Sequence, residues 1–283
     1  MADLTVNSAL LGLKNVSVHV DDYGASDGRP VVLIHGWPLS GKSWSEQIQS
    51  LTAAGLHVIT YDRRGFGDSD KPSGGYDYDT FADDLNGLLE KMDLHDVSLV
   101  GFSMGGGEVA RYIAKFGEDR LRSVVFASAV PPYLAKTDDN PEGPLSSELA
   151  EQMKMGLEAN ETVFYESFLK QFFSPNGDGN VLVSDTQMAD AIALTAQADK
   201  VASCASMNAF ATTDFRKDLQ KITVPTLVIH GDADGIVPFD GSGKLTHEQV
   251  AGSQLHVIMG APHGMNVSHA NEFNQALTSF LQK

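Results

Sequence analysis

Only one cysteine, Cys204, stands in the 283 residues. No internal disulfide can form, which suits a reducing cytoplasm. Cys204 lies among Ala202, Ser203 and Ala205 and reads as a small buried residue rather than a nucleophile. No apolar run approaches the ~20 residues that span a bilayer. The first residues, Met1 to Leu13, carry Asp3 and no basic stretch, so they do not read as a signal peptide. Basic residues are scarce: 20 Lys and Arg against 37 Asp and Glu, a net charge of −17. An acidic surface repels nucleic acid and anionic membrane, so neither is expected as a partner. Tryptophan is rarer still, with Trp37 and Trp44 alone.

What is present is an alternation of short apolar strands and helical patterns. Strands are expected at Val16–Val20, Val31–Ile34, His57–Tyr61, Val97–Val100 and Ser123–Phe126. Phe81, Leu85, Leu88, Leu89 and Met92 fall at helical spacing, with Thr80 and Asp83 as a capped start. Val109, Tyr112, Ile113 and Phe116 make a second helical face that Gly117 ends. Such alternation predicts an α/β chain with a mostly parallel sheet flanked by helices. The pattern breaks after Pro131-Pro132 and resumes with the strands "VPTLVIHG" (224–231) and "LHVIM" (255–259) and a last helix. Residues 133–213 hold only helix-like segments. The expected division is therefore a core of residues 1–132 and 214–283 with a helical cap insertion at 133–213. Phe164, Phe168, Met207 and Phe210 in the insertion, and Ile236 outside it, are candidate walls of a substrate pocket.

Residues 97–107, "VSLVGFSMGGG", run from a strand through G-x-S-x-G into a helix. A serine on so sharp a turn projects above the sheet, and Gly101 and Gly105 leave room for the bend. Gly106 and Gly107 would let the helix approach the sheet. Ser103 is the candidate nucleophile. It needs a base, and the base needs an orienting carboxylate, in the chain order Ser, acid, His. Of nine histidines, His263 in "APHGM" occupies an exposed-turn context after a strand. His35 and His230 each end a strand before glycine and read as loop-organising. The acid lies in "GDADGIVP", where the turn spacing favours Asp234 and leaves Asp232 as the runner-up.

Gly36 to Ser43 in "HGWPLSGKSW" fits the phosphate-loop pattern G-x-x-x-x-G-K-[ST]. Trp37 would crowd a phosphate cradle, however, and Pro38 has no N–H to give it. An oxyanion site accounts for the stretch better. Acyl transfer needs two aimed donors, expected to be the N–H groups of Met104, next to the nucleophile, and Trp37, after an early strand. Lys42 and Ser43 would begin the helix through "SWSEQIQSL". The segment "SPNGDGN" lacks glycine at the sixth and glutamate at the twelfth position of a calcium loop, and reads as an exposed turn. No histidine, cysteine or carboxylate cluster has metal-ligand spacing, so no metal or other cofactor is expected.

"HGWP", "YDRRGFGDSD", "GFSMGGGEVARY", "HGDADGIVPF" and "GAPHG" together resemble the α/β-hydrolases called cofactor-free haloperoxidases or bacterial perhydrolases, with arylesterases and γ-lactamases as relatives. The resemblance runs from about residue 16 onward and is weakest in the insertion. It implies Ser103, His263 and Asp234 as the catalytic set and the Trp37 and Met104 N–H groups as the oxyanion hole. It implies a bracing role for the "DRRGFGDSD" loop, so Asp62, Arg63 and Asp68 are given no catalysis. It further implies that Pro38 re-aims a backbone carbonyl into the pocket in members that favour peracid formation. "HGWP" also resembles epoxide hydrolases and dehalogenases, but Ser103 stands where they use aspartate.

The expected activity is acyl transfer through a covalent acyl-enzyme. A small ester or carboxylic acid would acylate Ser103, and water or peroxide would release an acid or a peracid. Amide hydrolysis of a small lactam by the same residues is the alternative. A non-catalytic small-molecule receptor and a nucleotide-binding module are the remaining classes. Turnover of a chromogenic ester separates the first two from the others. A homo-oligomer is left open by the sequence.

Overall fold

The apolar runs pair into one eight-stranded sheet in the computed structural model, which describes residues 6–283. The strands are β1 (Val6–Gly12), β2 (Ser17–Tyr23), β3 (Arg29–Ile34), β4 (Leu56–Tyr61), β5 (Val97–Phe102), β6 (Leu121–Ala127), β7 (Thr226–Gly231) and β8 (Gln254–Ile258). Their order is β1-β2-β4-β3-β5-β6-β7-β8. Pairing is antiparallel from β1 through β2 to β4 and parallel from there to β8. Every residue of β4, β5 and β7 is buried. That is why these segments read as unbroken apolar runs rather than alternating ones.

The covering helices are α1 (Ser45–Ala53), α2 (Tyr78–Lys91), α3 (Met104–Phe116), α8 (Arg216–Leu219), α9 (Gly243–Gln249), α10 (Met265–Ser268) and α11 (Ala270–Leu281). One group joins α1, α10 and α11; another joins α2, α3 and α8. The start of α2 differs from its expected cap. Asp77, not Thr80, is the N-cap, and its carboxylate accepts the Thr80 N–H at 2.9 Å. Aspartate is the stronger cap because it is a charged acceptor at the positive end of the helix. Gly117 ends α3 at φ 79°, a conformation open to glycine without strain. The helix expected from Lys42 begins instead as a 3₁₀ turn at Gly41–Trp44, with α1 proper from Ser45.

Between β6 and α8 the chain forms four helices, α4 (Ser147–Ala159), α5 (Glu161–Phe172), α6 (Asp185–Thr195) and α7 (Lys200–Thr212). Each begins on a side chain that caps it: Ser146, Asn160, Ser184 and Asp199. Ser184 and Gln187 form a reciprocal capping box. Among the described residues no helix is long and apolar enough to cross a membrane.

Candidate active site

Ser103 sits where β5 ends and α3 begins, at φ 54° and ψ −119°. Non-glycine residues seldom take positive φ, and the surrounding packing must hold them there. Here glycines make the space. A β-carbon on Gly101 would lie 2.5 Å from the Gly105 carbonyl oxygen, and one on Gly105 would lie 2.5 Å from that of Ile34. Gly106 faces Ala129, and Gly107 faces the rings of Phe215 and Tyr78, so α3 is drawn close against its neighbours. Ser103 is 7% exposed and opens onto a cavity of about 350 Å³.

His263 follows β8 in a buried loop. Its Nε2 is 2.9 Å from Ser103 Oγ, and its Nδ1 is 2.7 Å from Asp234 Oδ2. An ionised carboxylate only accepts, so Nδ1 carries the proton and Nε2 is free to take the serine proton. Asp234 Oδ1 accepts the N–H groups of Ile236 (2.9 Å) and Val237 (2.8 Å). Burial by itself would raise the Asp234 carboxyl. The charge of His263 and hydrogen bonds from His230 and His263 outweigh it and hold the group well below the usual carboxylate range. Asp232 points elsewhere: it is exposed and accepts the Gly260 N–H at 2.5 Å.

Trp37 is buried, and its indole Nε1 donates to the Ser203 carbonyl at 3.1 Å. Phe164, Tyr165, Phe168 and Phe210 pack edge-on against it, with ring centroids 5.3–6.2 Å away. Gly36 brings this loop against the serine, since a β-carbon there would lie 3.1 Å from Ser103 Cβ. The main-chain N–H groups of Trp37 and Met104 have no acceptor among the described residues. Neither donor is spent within the described structure, and Trp37 lines the same cavity as Ser103 while Met104 follows it in the chain.

Phe164, Phe168, Phe210 and Ile236 line the cavity with Trp37 and Ser103. Two residues expected at the pocket do not. Met207 is 3% exposed and is spent in the core, while Phe210, one turn on in α7, takes the wall. Pro38 is buried in the turn closed by the Leu39 N–H to the Gly36 carbonyl at 3.1 Å, behind Trp37. The Trp37–Pro38 peptide is cis. Cys204 is half-buried on α7 rather than enclosed, and burial pushes its thiol pKa up.

Several contacts at the site had no signal in the sequence. His230 Nε2 lies 2.8 Å from the Val237 carbonyl and 3.3 Å from Asp234 Oδ2, making it a second imidazole on the acid. Phe172 and Phe102 flank His263, at 4.8 and 5.1 Å between ring centroids. "SPNGDGN" is the exposed turn expected. Its inner side also packs on the acid loop, where Asn176 N–H donates to the Ala233 carbonyl at 2.6 Å.

The "DRRGFGDSD" loop closes on itself. Asp62 accepts the N–H groups of Gly41 and Asp68, each at 2.8 Å, and Arg64 pairs with Asp84 through two bonds of 2.5 and 2.6 Å. The fold gathers His19, Asp62 and Asp68 although no sequence spacing announced them. Asp62 is committed to its two amides. Asp68 pairs with Lys42 at 3.0 Å, and His19 with Asp21 at 3.1 Å.

The family model described as the alpha/beta hydrolase fold matches residues 29–270. The chain is 42% identical to a non-heme chloroperoxidase of Kitasatospora aureofaciens, over 95% of this chain and 97% of that one. It is 35% identical to a bifunctional esterase/perhydrolase of Acinetobacter calcoaceticus, over 94% and 96%. A solved bromoperoxidase from Bacillus anthracis superimposes with a TM-score of 0.94 at 50% identity, covering 99% of this chain and all of that one. With a sheet, a serine turn and a match of this extent, the chain belongs to the α/β-hydrolase family.

Proposed function

We propose that this protein is a serine hydrolase that forms an acyl-enzyme on Ser103 from small esters and passes the acyl group to water or to hydrogen peroxide. The unbroken hydrogen-bonded series Asp234–His263–Ser103, ending at a strained serine on a mostly apolar cavity, carries the reading. His263 takes the hydroxyl proton as Oγ attacks the acyl carbonyl. Asp234 holds the ring in the productive tautomer and stabilises the imidazolium. The N–H groups of Trp37 and Met104 receive the oxyanion. The proton then passes to the departing alcohol. In the second half, water or peroxide gives its proton to His263, attacks the acyl carbon and leaves as acid or peracid, restoring the serine. Any halide oxidation would be carried out by the released peracid. Residues 133–213 serve as the cap that closes the site, and their aromatic walls suit a small neutral acyl ester. The names of the relatives, esterase/perhydrolase and non-heme chloroperoxidase, support both acceptors.

The decisive test is Ser103→Ala, assayed with a chromogenic short-chain ester and with a fluorophosphonate followed by mass spectrometry. Loss of a nucleophile costs on the order of 10⁴–10⁶ in kcat. The wild-type protein should carry the phosphonate on Ser103 and the variant should carry none. Retention of about a tenth of the turnover would place the chemistry elsewhere.

A further inference from the structure

The end of β3 is held by groups that do not touch the cavity. His35 is fully buried, and its Nδ1 lies 2.8 Å from the Gly36 carbonyl oxygen. Its Nε2 lies 2.9 Å from the main-chain nitrogen of Arg63. A peptide N–H only donates, so Nε2 is the acceptor and Nδ1 bears the proton. Burial, and then the charge of Arg63, hold the ring well below the ordinary imidazole value, which keeps it in this neutral form.

The Gly36 carbonyl and the Trp37 N–H are opposite ends of one planar peptide group. Whatever pins the oxygen also aims the N–H. Two donors pin it, His35 Nδ1 and the Leu39 N–H. The strand end is braced in turn. Arg63 Nη2 donates to the His35 carbonyl at 3.0 Å, and Arg63 Nε to Glu108 Oε2 at 2.8 Å. Glu108 also accepts from the Tyr61 hydroxyl. Arg63 and Glu108 are each 1% exposed at the side chain. A buried ion pair is a poor source of net stability. What this one supplies is a fixed distance between the loop after β3 and α3, the helix whose first residue is Met104.

We propose that His35 is a positioning residue for the oxyanion site: it sets the Gly36–Trp37 peptide plane so that the Trp37 N–H faces the oxyanion, with the Arg63 main-chain N–H fixing its tautomer and the Arg63–Glu108 pair holding the strand end beside it. The inference rests on the reading of Trp37 and Met104 as oxyanion donors.

Three variants of the full chain test it. In His35→Asn the side-chain amide nitrogen takes the place of Nδ1 and can still donate to Gly36. In His35→Gln the amide reaches the Nε2 position and leaves the Gly36 carbonyl with the Leu39 N–H as its one donor, and His35→Leu removes both contacts of the ring. Rates are taken per active site titrated to completion with fluorophosphonate, so a partly unfolded preparation does not count as slow. Complete loss of an oxyanion donor costs about 10²–10³ in kcat. A mis-aimed donor should cost part of that, about 10- to 100-fold, in His35→Leu and His35→Gln. KM should stay within about twofold. Affinity for a trifluoromethyl ketone, which mimics the oxyanion, should fall by the same factor as kcat. His35→Asn should recover to within about fivefold of wild type. If His35→Leu does not fold, the contrast between Asn and Gln still decides. Unchanged kcat per site, equal loss in Asn and Gln, or a loss with no change in ketone affinity would overturn the proposal. Failure of the wild-type protein to take phosphonate on Ser103 would overturn it together with the reading on which it rests.

Discussion

Asp232 and Asp234 lie two residues apart in one loop, with the same chemistry and opposite surroundings. Asp234 is enclosed and meets His263, His230 and two amides; Asp232 is exposed and holds only the Gly260 turn. Only Asp234 can orient His263. Asp234→Asn should lower kcat on the order of 10⁴-fold. Asp232→Asn should lose no more than the share of one neutral turn contact, about fivefold. The reverse ranking in ester turnover would give the role to Asp232. The sequence narrowed the acid to these two and no further, because the choice turns on which carboxylate faces inward. The serine and the histidine were legible because each needs a particular backbone turn that leaves glycine and proline beside it. His230 was legible only as a residue at a strand end, since its contact with the acid depends on how the loop folds back. Pro38 poses a different question at this scale. In the proposed reaction water and peroxide would compete for the same acyl carbon, and both would lose their proton to His263, so the relay alone would not set their ratio. A backbone acceptor aimed at the incoming oxygen can. Proline fixes φ beside the Trp37 donor and so affects where that segment's carbonyls point. One such hydrogen bond is worth roughly 1–3 kcal/mol, or about 5- to 150-fold in rate. Pro38→Leu should therefore lower peracid formation from a small neutral acetate ester and peroxide several-fold, while ester hydrolysis holds or rises. A proportional fall in both would reduce Pro38 to a shaper of the loop.

At the level of elements, the serine turn depends on how near α3 can come to the sheet. Gly106 measures that distance, since a β-carbon there would lie 2.3 Å from Ala129 Cβ. Neither group can swing away, because both are fixed to backbone. In Gly106→Ala the better helix propensity, about 1 kcal/mol, is set against overpacking of about 1–3 kcal/mol. The helix must also retreat from Ala129 and carry the Met104 N–H with it. The melting midpoint should fall by several degrees, and kcat should fall further than stability alone explains. Gly74→Ala is the control, because nothing lies within 4 Å of its β-carbon. If both variants melt and turn over alike, close approach of α3 is not what shapes the turn. The elements that frame this turn were legible because they are buried on both sides and read as apolar runs. β1 was not legible. It pairs with β2 alone, and Leu10 in its middle is 64% exposed, so its pairing is made by backbone groups that leave no side-chain pattern. The helices of 133–213 were legible as helices, but not their facing. α7 buries residues on several sides, Met207 and Ala202 among them, so periodicity did not separate the cavity wall from the core.

The molecule as a whole carries a net charge of −17, while the cavity over Ser103 is lined by no Asp, Glu, Lys or Arg. Its polar side chains are Ser103, Gln152, Ser167 and Gln171. No cation inside the site offsets the field that a substrate crosses on its way in. An anionic substrate therefore meets repulsion in the solvent and finds no partner once inside, whereas a neutral ester meets neither penalty. Salt separates the two effects. The screening length is about 30 Å at 0.01 M ionic strength and about 3 Å at 1 M. Raising salt removes the long-range field but leaves the uncharged lining as it was. Two aryl esters with the same leaving group, a neutral acetate and a mono-succinate with a free carboxylate, should diverge at low salt. The kcat/KM for the succinate should rise several-fold across that range, and that for the acetate should stay within about twofold. Taking their ratio cancels any effect of salt on folding. The succinate should remain the poorer substrate at 1 M, by the share that the lining contributes. A ratio that does not move with salt would mean that the lining alone rejects the anion. A ratio that reaches unity at high salt would mean that the field alone does.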